Sequence, residues 1–103
     1  KGRKGMGFMA IRESEIERHL AVSVKKMGGM AVKFVSPGLA GVPDRIVLLP
    51  GRKIAFVELK APGKKPGALQ EKRKRQLESL GFPVYVIDSP GQIGGVLDEI
   101  CSA

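Results

Sequence analysis

Asp44, Glu58 and Lys60 are the residues of this chain whose types and spacing could do chemistry. They stand at the two ends of GVPDRIVLLPGRKIAFVELK, Gly41–Lys60, where the apolar runs Ile46–Leu49 and Ile54–Leu59 flank Pro50-Gly51-Arg52-Lys53. β-Branched runs around a Pro-Gly pair predict a β-hairpin. Alternation along the second strand puts Ile54, Phe56, Glu58 and Lys60 on one face, so an acid and an amine emerge where the strand leaves the core. An antiparallel return also brings Asp44, just ahead of the first strand, beside the end of the second. Two carboxylates and a lysine then converge on one point. Hard oxygen ligands suit Mg²⁺ or Mn²⁺. With a lysine to orient water or stabilise developing negative charge, they form the inventory for metal-assisted phosphodiester hydrolysis.

The elements that must position this hairpin can be read on either side of it. From about Arg12 to Met27, Ile16, Leu20, Val24 and Met27 fall in one helical stripe, ended by Gly28-Gly29. Within it Ser14 and Glu17 have the spacing of a capping box; Glu17, at the edge of the stripe, could instead aim a carboxylate into the site. Met30–Val35 reads as a short strand, and Ser36–Gly41 as a turn-rich loop. After the hairpin, the basic loop Ala61–Gly67 leads to a helix from Gly67 or Ala68 to Leu80, with Leu69, Leu77 and Leu80 facing inward and Gln70 at the edge of that face. Pro83–Ile87 is an apolar strand. Ser89-Pro90 with Gln92 opens a last helix, Gly91 to Ile100. The order is α-β-β-β-α-β-α, an α/β domain over residues 12–103 behind a loose basic tail, residues 1–11.

Composition narrows the partners. The chain has 103 residues, 18 lysines and arginines against 10 acids, and a net charge of +8. A small domain this basic is expected to meet a polyanion, usually nucleic acid. Lys64 and Lys65 of the loop and Lys72, Arg73, Lys74 and Arg75 of the second helix are the candidate phosphate contacts; a solvated helix face is the alternative for the latter run. The glycines of APGKKPG do not make a Walker A loop. One histidine, His19, and one cysteine, Cys101, leave no parts for a Ser-His-Asp set, a His/Cys zinc site or an intrachain disulfide. A lone cysteine suits a reducing compartment, and no apolar run reaches membrane-spanning length, so a cytoplasmic protein is expected.

The string GVPDRIVLLPGRKIAFVELKAPGKKPGALQ, with Pro43-Asp44 followed by Glu58-Leu59-Lys60 and then Gln70, resembles the VRR-NUC (virus-type replication-repair nuclease) family of PD-(D/E)xK nucleases, over about residues 15–89. The resemblance implies a restriction-endonuclease-like core with a mixed central sheet flanked by helices. It implies that Asp44 and Glu58 bind Mg²⁺ or Mn²⁺ together with the Leu59 carbonyl. Lys60 would be the catalytic lysine and Gln70 a supporting residue, while Glu17 is similar to the first-helix glutamate of junction resolvases and would bind the metal directly or through water. Stand-alone members act as homodimers on branched DNA, which implies resolution of four-way (Holliday) junctions; the apolar side chains Ile93, Val96, Leu97 and Ile100 of the last helix either form that interface or pack on the sheet. Alternatives are a non-catalytic nucleic-acid-binding accessory subunit and a nickase or flap nuclease guided by a partner protein.

Overall fold

A computed structural model describes residues 12–103; the expected basic tail lies outside them. Helix α1 (Glu13–Lys26) leads to strands β1 (Met30–Lys33), β2 (Arg45–Leu49) and β3 (Lys53–Leu59). Helix α2 (Ala68–Ser79), strand β4 (Val84–Ile87), a 3₁₀ turn (Pro90–Gln92) and helix α3 (Ile93–Ser102) complete the chain. The four strands lie in sequence order, with β1, β2 and β3 antiparallel and β4 parallel to β3. The order is the expected one, and the sheet is mixed because α2 carries the chain back to the starting end of β3.

One face of this sheet holds the core. Val47 and Leu49 of β2, Ala55, Val57 and Leu59 of β3 and Ile87 of β4 meet Ile16, Leu20 and Val24 of α1 and Ile93, Leu97 and Ile100 of α3. Each such aliphatic side chain contributes about 1.5–3 kcal/mol when fully buried. The face of α3 considered as a dimer surface is therefore spent inside the molecule; of its four apolar residues Val96 alone is only partly buried. The opposite face is covered at one end only. Phe34, Phe56 and Phe82 stack there, with ring centroids 5.7 and 6.0 Å apart. Met30, Leu48 and Ile54, aligned across three strands at the hairpin-turn end, remain exposed.

Two helices depart from the pattern read in the sequence. α1 begins one residue later than predicted and is capped elsewhere: the Arg12 N–H donates to Glu15 Oε1 at 3.1 Å, not through Ser14 and Glu17. Glu17 is left free for another partner. α2 has no fully buried residue, and Leu80 just beyond it is 72% exposed. Leu77 and Leu80 line a cleft beside the helix, because a helix so rich in lysine and arginine rides on the sheet rather than sinking into it.

The β2–β3 turn carries a local strain. Gly51 has φ +84°, which glycine adopts freely, but Arg52 has φ +64°, where a Cβ crowds the following carbonyl. Arg52→Gly is expected to stabilise the fold by about 0.5–1 kcal/mol, raising Tm by a few degrees in a thermal melt without altering the far end of the sheet.

Candidate active site

At the end of the sheet away from this turn, the ladder sets the carboxylates opposite each other. Arg45 pairs with Val57, so the next residues across are Asp44 and Glu58. The Phe34 N–H donates to the Asp44 carbonyl at 2.8 Å, while Glu58 pairs with Val86. A row Phe34, Asp44, Glu58, Val86 thus crosses the sheet where β2 begins and β3 ends. The approach to Asp44 depends on Gly41, at φ +84°: a Cβ there would stand 2.7 Å from Leu69 Cγ, so only glycine lets this loop lie against the first turn of α2. Pro43, itself buried, then delivers Asp44 to the strand.

Each polar group at this row has a defined partner or a conspicuous lack of one. The Leu59 N–H donates to Asp44 Oδ2 at 2.8 Å, leaving Oδ1 for a ligand. Phe56 and Lys60 spend their N–H groups on β4, donating to the carbonyls of Pro83 and Ile87. Backbone alternation therefore turns both the N–H and the carbonyl of Leu59 to the Asp44 side. Glu58 is 4% exposed. Its Oε2 accepts from Gln70 Nε2 and lies 3.5 Å from Lys60 Nζ, but its Oε1 is buried without a hydrogen-bond partner among the described residues. Burial, reinforced by the Asp44 charge and only partly offset by Lys60, pushes the Glu58 carboxyl up to about 7.

An orphaned carboxylate oxygen beside a second carboxylate is costly unless a cation compensates it. Asp44 Oδ1, Glu58 Oε1 and the Leu59 carbonyl are all hard oxygen donors, so this donor set fits Mg²⁺ or Mn²⁺. Gln70 serves two elements at once: Oε1 accepts from the Gly67 N–H at 2.9 Å, capping α2, while Nε2 holds Glu58. Gln70→Glu keeps the cap but replaces the donor by a repelling charge. The folded protein is expected to lose about 1–3 kcal/mol near pH 8, read as a lower urea midpoint with little loss of helicity by circular dichroism, because Glu58 then meets a like charge and no donor.

No family model matches the chain. Over 79 residues it is 57% identical to "Putative nuclease p44" of Acyrthosiphon pisum secondary endosymbiont phage 1, spanning 77% of this chain and 85% of that protein. A solved structure described as a VRR_NUC domain matches with a TM-score of 0.78 and 28% identity, over 84% of this chain and 94% of that one. The chain belongs to the VRR-NUC nuclease family. Its mixed sheet and three helices are the restriction-endonuclease-like fold expected of that family.

In this VRR-NUC domain the other candidate residues fall at varied distances from the carboxylates. Glu17 is not brought to them. Its carboxylate is ion-paired with Arg45, and among the described residues no three His, Cys, Asp or Glu side chains gather as a metal-holding group. Of the first-helix acids it is Glu13, one turn earlier, whose charge reaches Glu58. Lys64 and Lys65 are exposed in the loop that follows Lys60, and Lys72 and Arg75 are exposed on α2. Lys74 instead pairs with Glu78 at 3.4 Å and borders the Glu58 recess, while Arg73 Nη1 donates to Gln76. His19 is exposed. An opening of about 410 Å³ between Phe34, Leu39, Val42, Leu77 and Leu80 lies on the other flank of α2 and is lined by none of the carboxylates.

Sequence reasoning missed Arg45. It occupies the core-facing register of β2 with Val47 and Leu49, yet carries a charge and is only 9% exposed. A charged residue in an otherwise apolar alternation was the available signal.

Proposed function

We propose that this chain is a divalent-cation-dependent, structure-specific DNA endonuclease that works as a homodimer on branched DNA, four-way junctions foremost. The observation that carries the reading is the pair Asp44 and Glu58, set opposite each other in the ladder beside Lys60, with Glu58 Oε1 buried and without a hydrogen-bond partner among the described residues. Asp44 and Glu58, with the Leu59 carbonyl, would hold Mg²⁺ or Mn²⁺. Such an ion supplies charge neutralisation at a scissile phosphate and a water of lowered pKa.

The protein's own groups do the rest. Lys60 places its ammonium at the rim of the carboxylate pair, where it orients the attacking water and offsets charge developing on the phosphate. Gln70 engages Glu58 Oε2 and so leaves Oε1 for the ion, and the Leu59 N–H on Oδ2 does the same for Asp44 Oδ1. The Pro and Val side chains around Glu58 (Pro43, Pro66, Val84 and Val86) keep bulk water from its inner side. Exposed Lys64, Lys65, Lys72 and Arg75 contact phosphates on either side of the cut, which supports binding through the backbone rather than through bases. Water attacks phosphorus in line and the bond to the 3′-oxygen breaks, the outcome the family resemblance implies, so that the 3′-oxygen leaves as a hydroxyl and the phosphate stays on the 5′ side.

With α3 packed inside, the homodimer would use the uncovered sheet face at Met30, Leu48 and Ile54. Ile54→Lys is expected to give a folded monomer by light scattering, since a charge on this exposed face costs the single chain little.

The reading is tested by incubating matched four-way junction, flap, nicked and linear duplex DNA with Mg²⁺, Mn²⁺ or EDTA. Paired cuts on the junction, abolished by EDTA, are expected. Binding without cleavage in either metal would leave a non-catalytic accessory subunit; cutting of flaps or nicks in preference to junctions would move the substrate.

A further inference from the structure

We infer that Arg45 and Glu17 are a positioning pair for Asp44, with Glu17 acting through the arginine and not as a ligand at the site. Arg45 leaves β2 on the core face, opposite the face that carries the Asp44 and Glu58 side chains. Its guanidinium wraps the end of the strand: Nη1 donates to the Asp44 carbonyl at 3.0 Å, and Nη2 is ion-paired with Glu17 of α1. That carbonyl already accepts from Phe34 at 2.8 Å, so Asp44 is held at its main chain from both the β1 side and the α1 side. With the Leu59 N–H on its carboxylate at 2.8 Å, the residue is fixed at three points although β2 has not yet begun there.

The arrangement suits arginine and not lysine. Two nitrogens of one rigid plane reach two acceptors on different elements, which a single ammonium on a flexible stem cannot reproduce. A buried guanidinium also requires a counter-charge, and Glu17, with its side chain 43% exposed, supplies one without being sealed in itself. α1 is thereby tied to the catalytic end of the sheet by a charged contact, where the rest of its packing is apolar. Freed from the helix cap by Glu15, Glu17 has this as its role.

The inference rests on the nuclease reading of Asp44, and the test separates the two. The wild-type chain and the variants Glu17→Gln, Arg45→Lys, Arg45→Met and Glu17→Gln/Arg45→Met are compared in Mn²⁺ affinity by electron paramagnetic resonance, in amide hydrogen exchange and in single-turnover cleavage. Arg45→Lys is expected to lower the cleavage rate and Mn²⁺ affinity about tenfold at unchanged DNA affinity. It should also speed exchange of the Leu59 amide about tenfold while the Ala55 and Val57 amides keep their protection. Glu17→Gln, which retains an acceptor, is expected to change Mn²⁺ affinity less than about threefold, and to add nothing in the Arg45→Met background. A Glu17→Gln loss that persists in full beside Arg45→Met would make Glu17 a ligand and overturn the inference. So would wild-type Leu59 exchange in Arg45→Lys, or an equal loss of protection at Ala55 and Val57, which would mark a merely structural tie. A wild-type protein that binds Mn²⁺ without cutting any DNA would end the nuclease reading, while the Mn²⁺ and exchange measurements would still decide the role of the pair.

Discussion

Asp44→Ala and Lys60→Ala are each expected to lower the single-turnover cleavage rate about 10³-fold or more while leaving the fold and DNA binding nearly intact. A loss of that size is about 4 kcal/mol of transition-state stabilisation, the scale on which a preorganised charge is missed. Asp44→Ala removes one of the two facing carboxylates and the acceptor of the Leu59 N–H. Lys60→Ala removes the ammonium 3.5 Å from Glu58. Neither residue belongs to the apolar core, so thermal stability should change little. In the proposed binding mode many lysines and arginines share the phosphate contacts, so losing one cation should cost only a small factor; losing the Asp44 charge next to a polyanion should if anything tighten the complex. The split between rate and affinity is the informative part. Variants that cut within about tenfold of wild type would place the chemistry elsewhere, and variants that lose binding and cutting together would make these residues contacts and not catalytic groups.

What the sequence disclosed and what it withheld divide along physical lines. Glu58 and Lys60 were legible because strand alternation has a period of two, and Asp44 because an antiparallel return fixes its register to the far end of the next strand. Pairing of Asp44 with Glu58 follows from the observed ladder without any adjustment. Gln70 was placed by its edge position on the second helix, and its contact with Glu58 follows from the cap it makes at Gly67. Glu17 was harder. A helical wheel gives the direction of a side chain to within a neighbour or two, but the partner on the facing strand is a tertiary fact. Here that partner was an arginine hidden in the core-facing register of β2. The leucines of α2 misled for a related reason: apolar spacing marks a face, yet how deep the face sinks depends on the width of sheet beneath it. The sheet has only the short edge strand Val84–Ile87 on that side, so Leu69 and Leu80 stay at the surface. The same limit applies to α3, whose apolar face could be read from its spacing but whose choice between the sheet and a second copy could not.

The second large effect is on stability, and it runs against the usual direction for an acid. Glu58 stands at about 7 in the folded protein against an ordinary 4.5, mainly because burial disfavours its charged form and secondarily because Asp44 repels it. A carboxyl raised by folding stabilises the protein fully only below its unfolded value. That contribution is lost as pH rises through the folded value. In EDTA, therefore, the protein is expected to lose about 3 kcal/mol of stability between about pH 4.5 and pH 7.5, read as a falling Tm or urea midpoint. Added Mg²⁺ or Mn²⁺ should restore most of it above pH 7 and little near pH 5, since a cation competes with the proton for the same oxygens. Glu58→Gln supplies the control: the neutral amide has the shape of the protonated acid, so this variant should be more stable than wild type at about pH 8 in EDTA and should gain far less from either metal. At sub-saturating metal the rate of cleavage should rise with pH, because only the ionised Glu58 completes the pair with Asp44, and saturating metal should move that rise to lower pH. A flat stability profile in EDTA, or an equal metal-induced gain in wild type and Glu58→Gln, would mean that Glu58 stays charged where it is and that the partnerless Oε1 is not where a cation is held.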